Sequence, residues 1–379
     1  MRVAIAIHRV RPTGGQDRYA LELARRLADA ATLDLITIAA EGSLPGAVTV
    51  RRVRAPLRPM LLTAPLYRRR AAVLAGAGGY DVVHSVGGAL PGAGVITAQF
   101  CAAEWRRVNP HAGVYQRLVS AQAVRDERAA YRHPNLAAVI AVSRRTAEEV
   151  KRHYGPLAVP VYVVPNAVDL EVFRPSAAPR ARSGRARLLF VGAFERKGLD
   201  VAIRALAQLK SDAELLAVGA GDVEACRRLA ASLGVAGRVT IVPPRADIPA
   251  AFAAADVFLF PTRYEPFGMV IAEALASGVP VVTSSRAGAS DLIRNGTSGW
   301  VVDDPEDAAG FAAAVDRVLA DPAGWPELSR AARDAVRNLT WDSVAAQTLE
   351  VYRGVTGGPA PRVPRSSFPG IAPGAMAGA

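Results

Sequence analysis

The chain has 379 residues, 51% of them hydrophobic, which fits two domains of ordinary size and excludes a wholly disordered polymer. Two cysteines, Cys101 and Cys226, exclude a disulfide framework and a multi-cysteine zinc site, and a reducing cytoplasm is the expected compartment. The net charge of +12 sits entirely in residues 1–165, with 23 Lys+Arg against 11 Asp+Glu; residues 166–379 are balanced at 23 each. Such asymmetry points to an anionic partner for the first half, or to a solvated arginine-rich surface. No apolar run reaches bilayer length, and the opening MRVAIAIHRV reads as a first strand, too short for a signal peptide.

Short apolar runs alternate with amphipathic stretches. Strands are expected at Arg2–Ile7, Leu33–Ile38, Asp81–His84, Val95–Ala98, Ala137–Val142 and Val161–Val164. Helices are expected at Gln16–Ala30, Tyr115–Tyr131 and Arg144–Tyr154. Continuous apolar strands interleaved with helices imply a parallel sheet covered on both faces. Arg174–Arg187, with five arginines, reads as the linker region. The rhythm then restarts with strands at Arg187–Val191, Glu214–Val218, Val239–Val242, Val257–Phe260, Val279–Thr283 and Trp300–Val302. Its helices are Asp200–Leu209, Val223–Leu233, Pro249–Ala255, Met269–Ala276, Pro305–Ala320 and Trp325–Asn338. The expected fold is α/β, two doubly wound Rossmann-like domains facing across a cleft. The expected divisions are 1–165, 166–341, a returning helix at 342–355, and a disordered Pro/Gly tail at 356–379.

Three stretches carry chemistry. In Phe260–Pro280 a buried strand ends, a loop carries Glu265, and a helix begins near Phe267. The first amides of that helix, Phe267, Gly268, Met269 and Val270, suit a diphosphate, and Glu273 can accept two hydrogen bonds from a vicinal diol. In Leu188–Asp200 a strand ends at Gly192, and Arg196-Lys197 precedes a helix. Two cations there can neutralise a leaving diphosphate, and Lys197 is one of only three lysines. Gly14-Gly15 follows the first strand and allows close backbone approach to a ligand. None of these is the three-glycine dinucleotide fingerprint, which argues against a nicotinamide dehydrogenase.

The five histidines, His8, His84, His111, His133 and His153, show no metal spacing. The acids Asp303, Asp304, Glu306 and Asp307 precede a helix and complement its dipole. Ser143 has no evident base partner. Arg51–Arg70 holds seven arginines, no acid and several apolar residues; it reads as a basic, apolar surface for anionic lipid or a phosphorylated acceptor, or as a solvated loop.

With these motifs in order along about 350 residues, the chain resembles the family-4 retaining glycosyltransferases, which have the GT-B architecture. The resemblance rests on Gly14-Gly15, Asp81-Val-Val-His84, Asn166-Ala-Val-Asp169, Gly192 through Lys197-Gly198, the Glu265-x7-Glu273 pair, Gly278-Val-Pro280, Gly288 and Gly296-Thr-Ser-Gly299. It implies that Glu265 contacts the transferred hexose, Glu273 the ribose, and Arg196 and Lys197 the diphosphate. Gly15 and the Phe267–Val270 amides would close around donor phosphate and sugar, with Gln99 and His84 on the acceptor side. The implied partners are a nucleoside diphosphate sugar and an acceptor glycan, lipid or small molecule. An anionic membrane surface is a further candidate partner; no nucleic acid, metal or cofactor is expected. Three departures stand out. Ala193 follows Gly192 where many relatives have arginine, Gln99 stands where many have histidine, and Asn166-Ala167 replaces Asn-Gly. A similar arginine-lysine-glycine turn occurs in lipopolysaccharide-core glucosyltransferases. A non-catalytic nucleotide-sugar-binding partner on the same scaffold is the alternative reading.

Overall fold

The computed structural model describes residues 1–110, 113–176, 184–245, 247–361 and 363. The chain forms two compact units: Met1–Asn166 together with the chain from Trp341, and Ala167–Thr340.

The first unit runs β1 (Arg2–Ala6), β2 (Arg9–Val10), α1 (Gly15–Leu27), β3 (Thr32–Thr37), β4 (Ala39–Ala40), β5 (Val48–Arg52) and α2 (Met60–Ala77). It continues with β6 (Val82–Val86), β7 (Val95–Ala98), α3 (Ala102–Val108), α4 (Val114–Tyr131), β8 (Ala138–Ala141), α5 (Arg144–Tyr154) and β9 (Val161–Val163). Seven parallel strands lie in the order β5-β3-β1-β6-β7-β8-β9. Val3, Ala4, Ile5 and Ala6 are all buried, because a parallel sheet with helices on both faces leaves neither side of a central strand wet.

The second unit runs β10 (Ala186–Ala193), α6 (Phe194–Lys197), α7 (Leu199–Gln208), β11 (Ala213–Ala220), α8 (Val223–Ser232), β12 (Val239–Val242), α9 (Ile248–Ala254) and β13 (Val257–Phe260). Then come α10 (Met269–Ala276), β14 (Val281–Ser284), β15 (Gly299–Val302), α11 (Ala308–Leu319) and α12 (Trp325–Ala335). Its six parallel strands lie in the order β12-β11-β10-β13-β14-β15. An aromatic file fixes the centre: Phe258 stacks on Phe260 at 5.3 Å, and Phe190 and Phe252 pack on that pair. Asp222 and Asp307 cap α8 and α11 by accepting from Ala225 N (2.8 Å) and Gly310 N (2.9 Å). The acidic run before α11 is thus used in capping and in the Glu306–Arg263 ion pair.

The last helix, α13 (Trp341–Val355), belongs to the first unit and packs on α1. Arg26 reaches Asp342 at 2.7 Å. Inside, the Tyr352 hydroxyl and His84 Nδ1 share a 2.6 Å hydrogen bond, His84 Nε2 bonds the Thr97 hydroxyl at 2.7 Å, and Thr97 bonds the Tyr19 hydroxyl at 3.2 Å.

Several expectations change. The stretch Arg51–Arg70 is not a plain loop: it ends β5 and builds the first half of α2, anchored by Thr63, Tyr67 and Ala71 at helical spacing. The first residues of the expected tail are turns tied to the helix end, with Thr356 N and Gly358 N donating back to it, and Val363 is buried. The rest of the expected disordered tail lies outside the described residues, as do His111 and residues 177–183 of the expected linker.

Candidate functional site

In the second unit the chain starts at β10, builds outward to β12, then returns to the other side of β10 with β13. The loops leaving β10 and β13 therefore diverge from neighbouring strands, the position where open α/β sheets hold ligands. Arg196 and Lys197 leave β10; Glu265 leaves β13.

Local backbone chemistry sets their places. Gly198 adopts φ +77° and ends α6; a Cβ there would collide with the Pro261 carbonyl oxygen, so glycine lets the two loops touch. Arg263 N donates to Arg196 O at 3.0 Å, and the Arg263 guanidinium holds Asp200 (2.8 and 2.9 Å) and Glu306 (2.6 and 2.9 Å). Burial raises the Asp200 carboxyl, but its bonds and charge contact with Arg263 more than offset this and hold it below the ordinary range.

The charged centre follows. Lys197 Nζ pairs with Glu265 Oε2, and Arg196 Nη1 donates to the same oxygen at 3.5 Å and to Tyr264 O at 3.2 Å. Lys197 is buried and lies 5.0 Å from the centre of the Phe260 ring. Burial, then the neighbouring Arg196 charge, holds its ammonium well below the usual lysine value. Burial likewise lowers Arg196. These cations are poorly solvated, so an incoming anion gains more here than at an exposed pair.

Glu265 is itself fixed by backbone. Its N–H donates to Arg286 O at 3.1 Å, and its carbonyl accepts from Gly288 N at 2.9 Å. Gly268, at φ +104°, precedes α10, and a Cβ on it would lie 3.1 Å from Glu265 Cγ. Glu265 thus sits against the start of α10, where the first-turn amides of Met269 and Val270 have no acceptor within the helix. Phe267 is buried, and its carbonyl accepts from Ala289 N at 2.7 Å. Glu273, one turn after Met269 on the same face, is buried. The helix spans Met269–Ala276 as expected, and the left-handed Gly268 keeps Phe267 outside its first turn.

The first unit holds the remaining expected residues. Gly15 is the exposed first residue of α1, after Gly14 at φ +89°. His84 and Gln99 do not present free acceptor-binding groups. His84 has no exposed surface, both ring nitrogens are engaged, and burial pushes its pKa down to about 3. Gln99 is buried and exchanges two 3.1 Å hydrogen bonds with the Asn166 amide. Sequence reasoning missed Arg263, Tyr264 and Phe260 as supports of the charged centre. Only their position beside Glu265 could have signalled them.

The family Glycosyl transferases group 1 matches residues 185–321, and Glycosyltransferase Family 4 matches residues 13–172. The D-inositol 3-phosphate glycosyltransferase of Acidothermus cellulolyticus is 32% identical over 390 residues, covering 90% of this chain and 85% of that protein. The glycogen synthase of Mycobacterium tuberculosis is 35% identical over 241 residues, 60% of this chain. The chain spans 57% of the length of that synthase. Among solved structures, WaaG, a glycosyltransferase involved in lipopolysaccharide biosynthesis, superposes with a TM-score of 0.77 at 23% identity, covering 94% of this chain and all of WaaG. Anabaena HepE in complex with UDP-glucose superposes at 0.70 with 20% identity, covering 93% and 99%. The chain belongs to the family-4 glycosyltransferases and has the GT-B fold.

Proposed function

We propose that the protein transfers a hexose-type sugar from a nucleoside diphosphate sugar to an acceptor hydroxyl, with retention at the anomeric carbon. The observation that carries this reading is the contact chain Lys197–Glu265–Gly268, which brings a buried cation, a carboxylate and a helix start together at a strand switch point. In the free protein Glu265 neutralises Lys197. A donor diphosphate, held by Arg196, Lys197 and the Met269 and Val270 amides, takes over that charge and releases Glu265 toward the sugar hydroxyls. Glu273 receives the ribose diol. The departing diphosphate is the group whose charge grows in the transition state, so these donors accelerate transfer rather than merely binding. The leaving phosphate takes the acceptor proton. No protein nucleophile is assigned.

The bound UDP-glucose of HepE supports a nucleotide-sugar donor. The acceptor is a glycan, a lipid-linked saccharide or a small molecule. Charge neutralisation by Arg196, Lys197 and helix amides makes the reaction metal-independent and cofactor-free. The cytoplasm, where nucleoside diphosphate sugars are made, is the proposed location; among the described residues no helix is long and apolar enough to cross a membrane.

A thermal-shift screen of UDP, ADP and GDP and their sugars tests this. A hundredfold excess over Kd adds about 2.7 kcal/mol of apparent stability. NMR of the product from the binding sugar then reads the anomeric configuration, and turnover in the presence of a chelator reads metal dependence. Binding of no activated sugar overturns the reading. An inverted product overturns the retaining assignment, and chelator-sensitive turnover overturns metal independence.

A further inference from the structure

Helix α2 carries apolar residues on two sides but is covered on one. Thr63, Tyr67 and Ala71 face the core, while Leu62, Leu66, Arg69 and Val73 form a second stripe along its outer face. A helix apolar all round is normally enclosed. Beside it lies α4. Met60 N donates to the Tyr115 hydroxyl at 3.0 Å, and Arg68 pairs with Asp126, so the two helices run side by side in the same direction. The first turn of α4 stands clear of the core: Val114 is 65% and Leu118 53% exposed. Eight of the eleven exposed large apolar side chains among the described residues fall in Leu57–Val73 and Val114–Leu118.

The same surface is strongly basic. No Asp or Glu occurs between Glu41 and Asp81, or between Glu104 and Asp126. Among the described residues Arg58, Arg69, Arg70, Arg106 and Arg117 make no ion pair, while Arg51 and Arg68 are spent on Asp34 and Asp126. Exposed leucines alone would fit many partners; leucines among unpaired arginines fit fewer. A second copy meeting this face through a two-fold axis would place arginine against arginine. A bilayer of anionic lipid satisfies both features, taking the leucines at the acyl boundary and the guanidinium groups at the phosphates.

We propose that the α2–α4 face docks the protein on an anionic membrane surface. The proposal is independent of the donor reading, because it uses none of its residues. The experiment is co-sedimentation of the full chain with vesicles of phosphatidylcholine, with and without phosphatidylglycerol. Binding is expected only with phosphatidylglycerol. The triple variant Leu62→Asp/Leu66→Asp/Leu118→Asp is expected to weaken binding at least tenfold, and Arg69→Ala/Arg70→Ala/Arg117→Ala about fivefold per arginine. Leu233→Asp, an equally polar change at an exposed site of the other unit, is expected to bind as the parent does. All these side chains are exposed, and circular dichroism melts verify folding. Should the leucine variant melt early, the arginine variant decides alone. Equal binding to both vesicles, or to neither, overturns the proposal. So does full binding by the leucine variant, or sedimentation velocity showing a dimer that this variant dissociates while vesicles are ignored. Donor hydrolysis in solution is expected to be unchanged in these variants, which separates this result from the fate of the donor site.

Discussion

Lys197 and Glu265 are ion-paired across the gap between the ends of two adjacent parallel strands, and a main-chain hydrogen bond joins the two loops that carry them. Arg263 N, two residues before Glu265, bonds the carbonyl of Arg196, one residue before Lys197. The pair is therefore positioned by main chain rather than by side-chain preference. Lys197→Ala should lower kcat by about 10²- to 10³-fold, as loss of one transition-state donor does. Lys197→Arg should not restore it, because a Cβ at Gly192 would already meet Lys197 Cγ at 2.9 Å, a tight passage for a wider head group. Single-turnover kinetics with a working acceptor measures both.

Glu265→Gln should separate binding from turnover. Removing the carboxylate leaves Arg196 and Lys197 uncompensated, so a nucleoside diphosphate should bind more tightly while transfer slows. Calorimetric Kd and kcat moving in opposite directions is the expected result. Parallel losses would mean that Glu265 holds the phosphate site in shape instead of filling it.

Proton uptake should accompany donor binding. Burial and Arg196 lower the Lys197 pKa in the free protein, and a bound diphosphate favours the ammonium and raises it. Between the free-protein value and the raised value of the bound state, binding takes up a proton, and affinity falls as pH rises through that window. Titrations in buffers of different ionisation heat read the uptake directly. Lys197→Met should abolish it.

Two buried groups of the first unit should give stability slopes of opposite sign. Burial lowers His84 to about 3, so between pH 3 and 6.5 the unfolded chain binds the extra proton. Its contribution is full above 6.5 and is lost as pH falls. Burial raises Glu127 to about 7, against opposing hydrogen bonds from Tyr154 and the Ala102 amide. Between pH 4.5 and 7 the folded chain holds the extra proton, so this contribution is lost as pH rises. From pH 4.5 to 6.5 the two oppose each other at roughly 1.4 kcal/mol per pH unit each. In urea titrations across that range, His84→Asn should make the slope of stability with pH more negative, and Glu127→Gln more positive.

A glycine pair should distinguish crowding from backbone strain. Gly234 has φ +71° with open space around its absent Cβ, and Gly198 has φ +77° against Pro261. Gly234→Ala should cost about 1 kcal/mol, the price of a left-handed alanine alone. Gly198→Ala should cost several times that and abolish nucleotide binding, because the loops carrying Lys197 and Glu265 must separate. Denaturant titration of both variants makes the comparison.

The site was more legible than its surroundings. Val257–Phe260 and Leu188–Val191 announced central strands because every residue is apolar, and Glu265, Gly268 and Lys197 follow directly in sequence. Helix α2 was illegible for the opposite reason. Only Thr63, Tyr67 and Ala71 anchor it, a stripe too thin to stand out among arginines and a proline. His84 was misplaced because its surroundings come from Thr97 and Tyr352, which no local pattern around residue 84 can reveal. The same holds for Gln99, whose partner Asn166 lies beyond two further strands and three helices.

The contact between His84 and Tyr352 has a consequence for biogenesis. The histidine is translated early, and its tyrosine only after the whole of the second unit has been made. A nascent chain stopped short of residue 341 would carry an imidazole lacking its hydroxyl and a groove along α1 lacking its lid. The amino-terminal half of this protein cannot complete its packing in the order in which it is synthesised, and a ribosome-bound intermediate should expose that groove to chaperones until α13 arrives.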